Sequence, residues 1–119
     1  MFEVHFYEDK QGRKPIKELL DTLKVQAATN KNARIQYEKI LIYIRSLRLH
    51  GAKVGAPIVK HIGGDIWELR PLSHRILFFY WKDNKFILLH NFVKKTNKTP
   101  SKEIKQAERN MADHKERNE

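Results

Sequence analysis

The longest unbroken apolar run in the chain is Ile76-Leu77-Phe78-Phe79-Tyr80-Trp81. It is far shorter than the roughly 20 residues that cross a bilayer, and it has the length of a strand. A strand that is apolar on both faces must be covered on both, so the segment His74 to Lys82 predicts the central strand of a sheet. Its neighbours supply the partners. Asp83-Asn84 makes a tight turn into Lys85 to Val93, which returns as the second arm of a hairpin. Upstream, Gly63-Gly64-Asp65 separates a strand over Pro57 to Ile62 from an alternating one over Ile66 to Pro71. The last three strands predict an antiparallel meander.

The rest of the chain must cover that sheet. Phe2 to Tyr7 alternates bulky apolar with polar residues and reads as an opening strand. Pro15 suits the first position of a helix, and Ile16, Leu19, Leu20, Leu23 and Ala27 follow at helical spacing. Residues 28 to 32 break the pattern and offer capping oxygens. A second apolar stripe of Ala33, Tyr37, Ile40, Ile44 and Leu47 then runs toward a stop at Gly51, flanked by Arg34, Lys39, Arg45 and Arg48. The pair predicts a helical hairpin. Thr99-Pro100 marks a last helix with a thin stripe of Ile104, Ala107 and Met111, and the polar end from His114 to Glu119 is expected to fray. Strand, two helices, four strands and a helix predict an α+β fold: a twisted, mainly antiparallel sheet with the helix pair on one face. At 119 residues the chain is one domain's worth of sequence.

Charge limits the partners. Twenty-four Lys and Arg against fourteen Asp and Glu give a net charge of +10, spread along the whole chain. Such a surface attracts polyanions, nucleic acid first among them. With no cysteine, disulfides, thiolate ligands and thiol nucleophiles are excluded. The start of the chain lacks the basic and apolar regions of a signal peptide, so a cytoplasmic location is expected, with no membrane contact.

Three groups of residues can carry chemistry. Alternation over Ile66 to Pro71 sends Trp67 and Leu69 to one face, toward the helices, and Glu68 and Arg70 to the other, open one. Arg75 opens the next strand, so Arg70 and Arg75 can converge on one phosphate and its transition state; the bland alternative is that they pair with Glu68. Second, the basic loop Lys94-Lys95-Thr96-Asn97-Lys98 offers ammonium, hydroxyl and amide contacts to a phosphate backbone. Third, His61, His74 and His90 fall on or beside strands, and imidazole is the natural proton carrier near neutrality. Alternation places His90 with Phe86, Leu88 and Phe92, where a structural role is as plausible as a catalytic one. No histidine spacing matches a zinc motif, so no metal or other cofactor is expected.

Taken together, Trp67-Glu68-Leu69-Arg70-Pro71, His74 to Tyr80, and Leu88 to Pro100 closely resemble the phage-derived, HigB-like branch of the RelE toxin superfamily, as does a final helix carrying Glu103-Ile104 and Ala107. The resemblance implies a microbial ribonuclease-like fold and a toxin that cleaves messenger RNA in the ribosomal A site without metal, the ribose 2′-hydroxyl attacking the adjacent phosphate. It also implies a helix-turn-helix antitoxin of the HigA kind, through which the pair would reach operator DNA. By the same resemblance, Arg70 matches the arginine that ends the leucine-arginine step of the third strand, Arg75 the arginine that opens the next strand and contacts the scissile phosphate, and Lys94 and Lys95 a basic pair near the cleavage site. Lys60, Thr96 and Lys98 become candidate RNA contacts.

The chain departs from RelE itself, which has lysines where Ile66 and Glu68 stand and a late tyrosine that stacks on a base. Glu68 and His90 are the candidates for the missing base, and Phe92 for the stacking group. The competing expectations are a nuclease that needs no ribosome, and a basic module that binds nucleic acid or antitoxin without catalysis.

Overall fold

The computed structural model describes residues 1–119. Strand β1 (Glu3–Phe6) leads to helices α1 (Pro15–Ala27) and α2 (Lys31–His50) and a 3-10 turn (Gly51–Val54). Strands β2 (Val59–Gly63), β3 (Ile66–Leu69), β4 (His74–Tyr80) and β5 (Lys85–Val93) and helix α3 (Ser101–Asn118) complete it. The strands form one sheet in the order β1-β5-β4-β3-β2. Only β1 runs parallel to its neighbour, β5; the other pairs are antiparallel. The architecture is α+β with a mixed sheet.

Local chemistry sets the element ends. Pro15 opens α1, and the Asn30 side chain caps α2 by accepting from the Ala33 N–H at 2.9 Å. Gly51, at φ 67°, ends α2, and a Cβ there would sit 2.8 Å from the Phe2 ring, so this position admits only glycine. Asp83 and Asn84 both take positive φ, as the short turn of a twisted hairpin requires.

The apolar run sits where its composition demands. On β4, Ile76 and Phe78 pack with the helix pair in a core that includes Ile16, Leu23, Ile40, Leu47, Leu69 and Leu88. Leu77 and Phe79 face the other way, joining Tyr7, Ile66, Ile87, Leu89 and Ala107 of α3. The sheet is therefore a middle layer, with α1 and α2 on one side and α3 on the other. No helix is long and apolar enough to cross a membrane.

Three expectations need correction. Pro57 and Ile58 precede β2 in a turn, where the Ile58 and Val59 N–H groups both donate to the Gly55 carbonyl. The end of the chain is helix rather than frayed coil, because α3 reaches Asn118. His114 extends its stripe and lies edge-on to Trp81, with ring centroids 4.6 Å apart; Asp113 accepts from the Tyr7 hydroxyl at 2.6 Å, and Arg117 pairs with Asp113.

The third correction concerns β5. Its register against β4 shifts by one residue, since Leu77 faces His90 while Phe78 faces Leu88. Leu89 is the extra residue of a bulge. One inserted residue reverses the alternation, so His90 and Phe92 lie on the α3 side, away from Phe86 and Leu88.

Candidate functional site

The pairing of strands lines up one polar row on the α3 side of the sheet. Lys60 of β2 lies opposite Glu68 of β3, Glu68 opposite Leu77 of β4, and Leu77 opposite His90 of β5. The next row holds Arg75 opposite Phe92. Arg70 follows β3 directly, its N–H tied to the Ile58 carbonyl at 2.9 Å.

Glu68 is the centre of this cluster. It is 2% exposed rather than open to solvent, because the segment entering α3 crosses above it. One carboxylate oxygen lies 3.4 Å from Arg70 Nε and 3.9 Å from Arg75 Nε. The other accepts a 2.6 Å hydrogen bond from the Thr99 hydroxyl. A buried carboxylate held by two cations and a hydroxyl is a satisfied anion.

The two arginines have different surroundings. Arg75 is buried, and its Nη1 donates to the carbonyls of Leu72 and His74 at 2.7 and 2.8 Å. Burial first, then the Arg70 charge, pulls its pKa below the ordinary arginine range, while Glu68 and Tyr43 oppose the shift. Arginine starts so far above neutrality that it stays a cation. Arg70 keeps 27% of its side chain exposed. Its buried Nε has no hydrogen-bond partner, and no protein group accepts from its guanidinium. The converging pair therefore consists of one arginine fixed to the backbone and one with unfilled donors.

Beside them, His90 Nε2 and Glu103 Oε1 of α3 are 2.8 Å apart, each side chain 20% exposed. The Phe92 ring stacks against His90 at 29°, with centroids 6.3 Å apart. The other strand histidines lie elsewhere. His61 packs on Trp67 with its Nε2 against the Gly64 carbonyl at 2.8 Å. His74 borders a separate cleft with Gln36 and Ser73 on the helix-pair side; burial lowers its pKa and its Nδ1 has no partner.

Lys60 and Lys98 line a cleft of about 380 Å³ between the β2 edge and the loop into α3, together with Asn97 and Thr99. Lys94, Lys95 and Thr96 are exposed at the end of β5 and do not bond to the cluster. Thr96 donates to the Lys98 carbonyl at 2.9 Å, which folds the loop onto itself. No group of three or more His, Asp or Glu side chains is placed to hold a metal ion.

The fold thus gathers Lys60, Glu68, Arg70, Arg75, His90, Phe92 and Lys98, and leaves Lys94, Lys95 and Thr96 on the rim. Thr99 and Glu103 belong to the cluster and were not singled out from the sequence as site residues. Their signal was the helix start itself: Pro100 occupies the cap position with no side-chain cap, which leaves the Thr99 hydroxyl available for Glu68.

A family model described as "Phage derived protein Gp49-like (DUF891)" matches residues 28–112. That span runs from the α1–α2 turn well into α3 and contains every residue of the cluster. No curated protein matches the chain.

Proposed function

This chain belongs to the Gp49-like family of phage-derived proteins, within the RelE/ParE-like toxin superfamily, and from that premise we propose that it is the toxin of a HigB-like type II toxin–antitoxin system. In this reading it is a metal-independent endoribonuclease that cuts messenger RNA on the ribosome. A helix-turn-helix antitoxin of the HigA kind neutralises it and carries the complex to operator DNA.

The carrying observation is Arg70, a guanidinium anchored beside buried Glu68 with its own donors unfilled. Planar donors of this kind suit two phosphate oxygens at once. Glu68, itself held by Arg75 and Thr99, keeps Arg70 in place, and neither Glu68 nor Arg75 touches RNA. His90 lies in the same row as Glu68, two strand spacings or about 10 Å across the sheet.

In this reading the reaction is an internal transesterification of the RNA backbone. The 2′-oxygen bonds to phosphorus as the bond from phosphorus to the 5′-oxygen breaks, leaving a 2′,3′-cyclic phosphate and a 5′-hydroxyl end. His90 takes the 2′-hydroxyl proton, and the departing 5′-oxygen takes one from solvent. Arg70 stabilises the negative charge that builds on the phosphate oxygens. Lys60 and Lys98 in the cleft, with Lys94 and Lys95 on the rim, hold the flanking backbone, and Phe92 offers an edge for stacking.

Induction in cells with mapping of new messenger 5′ ends, with and without translation of the reporter, tests this. The expected result is in-frame cuts that vanish when translation is blocked, with Arg70→Ala lowering cleavage about 100-fold and relieving growth arrest. Cuts on untranslated RNA would make the chain a free-RNA nuclease. Growth arrest without cuts would favour the non-catalytic binding module.

A further inference from the structure

An imidazole can act as a base only through a nitrogen that carries no proton, so a base must be held in one of its two tautomers. The site contains a device that makes this choice. His90 Nε2 faces Glu103 Oε1 at 2.8 Å, and an ionised carboxylate accepts hydrogen bonds but cannot donate them. The proton of a neutral His90 is thereby fixed on Nε2. Nδ1 bonds to no protein group and is left as the acceptor.

Glu103 is well placed to hold that choice. It lies in the first turn of α3, where the helix N-terminus favours a carboxylate. Its helix is fixed close by through Ala107, which is fully buried against the sheet, and through Asn110, which donates to the Leu89 carbonyl at 2.8 Å. That carbonyl belongs to the bulge residue that turns His90 toward α3. The same few residues therefore aim the ring and provide its partner.

From this geometry we infer that Glu103 is a positioning residue, whose contact with Nε2 sets the His90 tautomer and presents Nδ1 to the 2′-hydroxyl. The inference rests on the nuclease reading for its purpose, but the tautomer can be observed without any reaction. A pair that only joins α3 to the sheet would serve as well with an amide in place of the carboxylate. A pair that selects a tautomer would not, because an amide presents either an oxygen or an NH2 group to Nε2.

Glu103→Gln separates the two cases, since it keeps the size and hydrogen-bonding reach of the side chain. Long-range proton–nitrogen NMR of the labelled protein, recorded where His90 is neutral, reads the proton position directly. The wild type is expected to show His90 with Nε2 protonated. Glu103→Gln should give a mixture of tautomers at unchanged thermal stability and, in multiple-turnover cleavage of RNA on ribosomes, a kcat at least about 10-fold lower at unchanged KM. A Glu103→Gln protein with the wild-type tautomer and wild-type kcat overturns the inference. Failure of the wild type to cleave would instead defeat the nuclease reading, and His90→Gln cleaving at the wild-type rate would remove His90 as the base. In both those cases the spectrum still decides whether Glu103 holds the ring.

Discussion

Glu68 ties two arginines of different exposure to one buried carboxylate. It is buried between Arg75, which is nearly buried itself, and Arg70, which is more exposed. Replacing Glu68 by Ala leaves the Arg75 charge buried beside a like charge, and should cost about 3 kcal/mol of stability, measured as the urea midpoint. Arg70→Ala removes the more exposed member and leaves Glu68 with Arg75 and Thr99, so its loss of stability should be clearly smaller while its loss of cleavage is large. If the two variants were equally destabilised, Arg70 would be part of the scaffold and its phosphate role would fall. The proximity of Glu68, Arg70 and Arg75 was legible from alternation along β3 and the short link to β4. The division of labour was not, because it depends on the carbonyls of Leu72 and His74 and on Thr99, which is 31 residues away from Glu68 in sequence.

At the scale of elements, the deciding pieces are the β5 bulge and α3. Leu88-Leu89-His90 contains no glycine or proline to mark an inserted residue, so strict alternation assigned His90 to the wrong face. The helix pair was legible because its two apolar stripes keep helical spacing, Pro15 opens one helix and Asn30 caps the other. The last turns of α3 were not, since the groups that hold them are polar: Asp113 and Arg117 with Tyr7, and His114 beside Trp81. The Tyr7 phenol is pushed from 10.0 to about 12, first by burial and then by its bond to Asp113. A raised folded pKa favours the neutral phenol, so this contribution is complete below pH 10 and is lost as pH rises toward about 12. Tyr7→Phe should lose about 1 kcal/mol at neutral pH and show less further loss across that alkaline window, measured by urea unfolding at a series of pH values. His114 gives the opposite limb. Burial, followed by the Arg117 charge, lowers its pKa from 6.5, so its contribution is present above that value and is lost as pH falls through the folded pKa. His114→Phe should flatten the acid side of the stability curve without moving the alkaline side.

At the scale of the whole molecule, a net charge of +10 predicts that any binding to RNA is sensitive to salt, whatever the chemistry at His90. The charge is unevenly useful. Many cations are committed within the fold, such as Arg13 with Asp9, Lys17 with Asp21, and Arg117 with Asp113. Lys60, Arg70, Lys94, Lys95 and Lys98 surround the cluster with no carboxylate satisfying them except Glu68, which Arg70 shares with Arg75. If these five contact the single-stranded backbone, the logarithm of affinity should fall against the logarithm of salt concentration with a slope of about −3.5, each contact contributing about −0.7. Filter binding of a short RNA to a His90→Gln protein, which is expected to bind without cutting, measures that slope. Removing Lys94 and Lys95 together should make it shallower by about 1.4, whereas removing Lys17 and Arg13 should leave it unchanged. A slope that responds equally to both pairs would mean that RNA meets the protein as a uniform cation, with no track leading to Arg70. A slope that responds only to the pair at the end of β5 would place the backbone along the rim of the cluster, where the cleft between Lys60 and Lys98 continues its path.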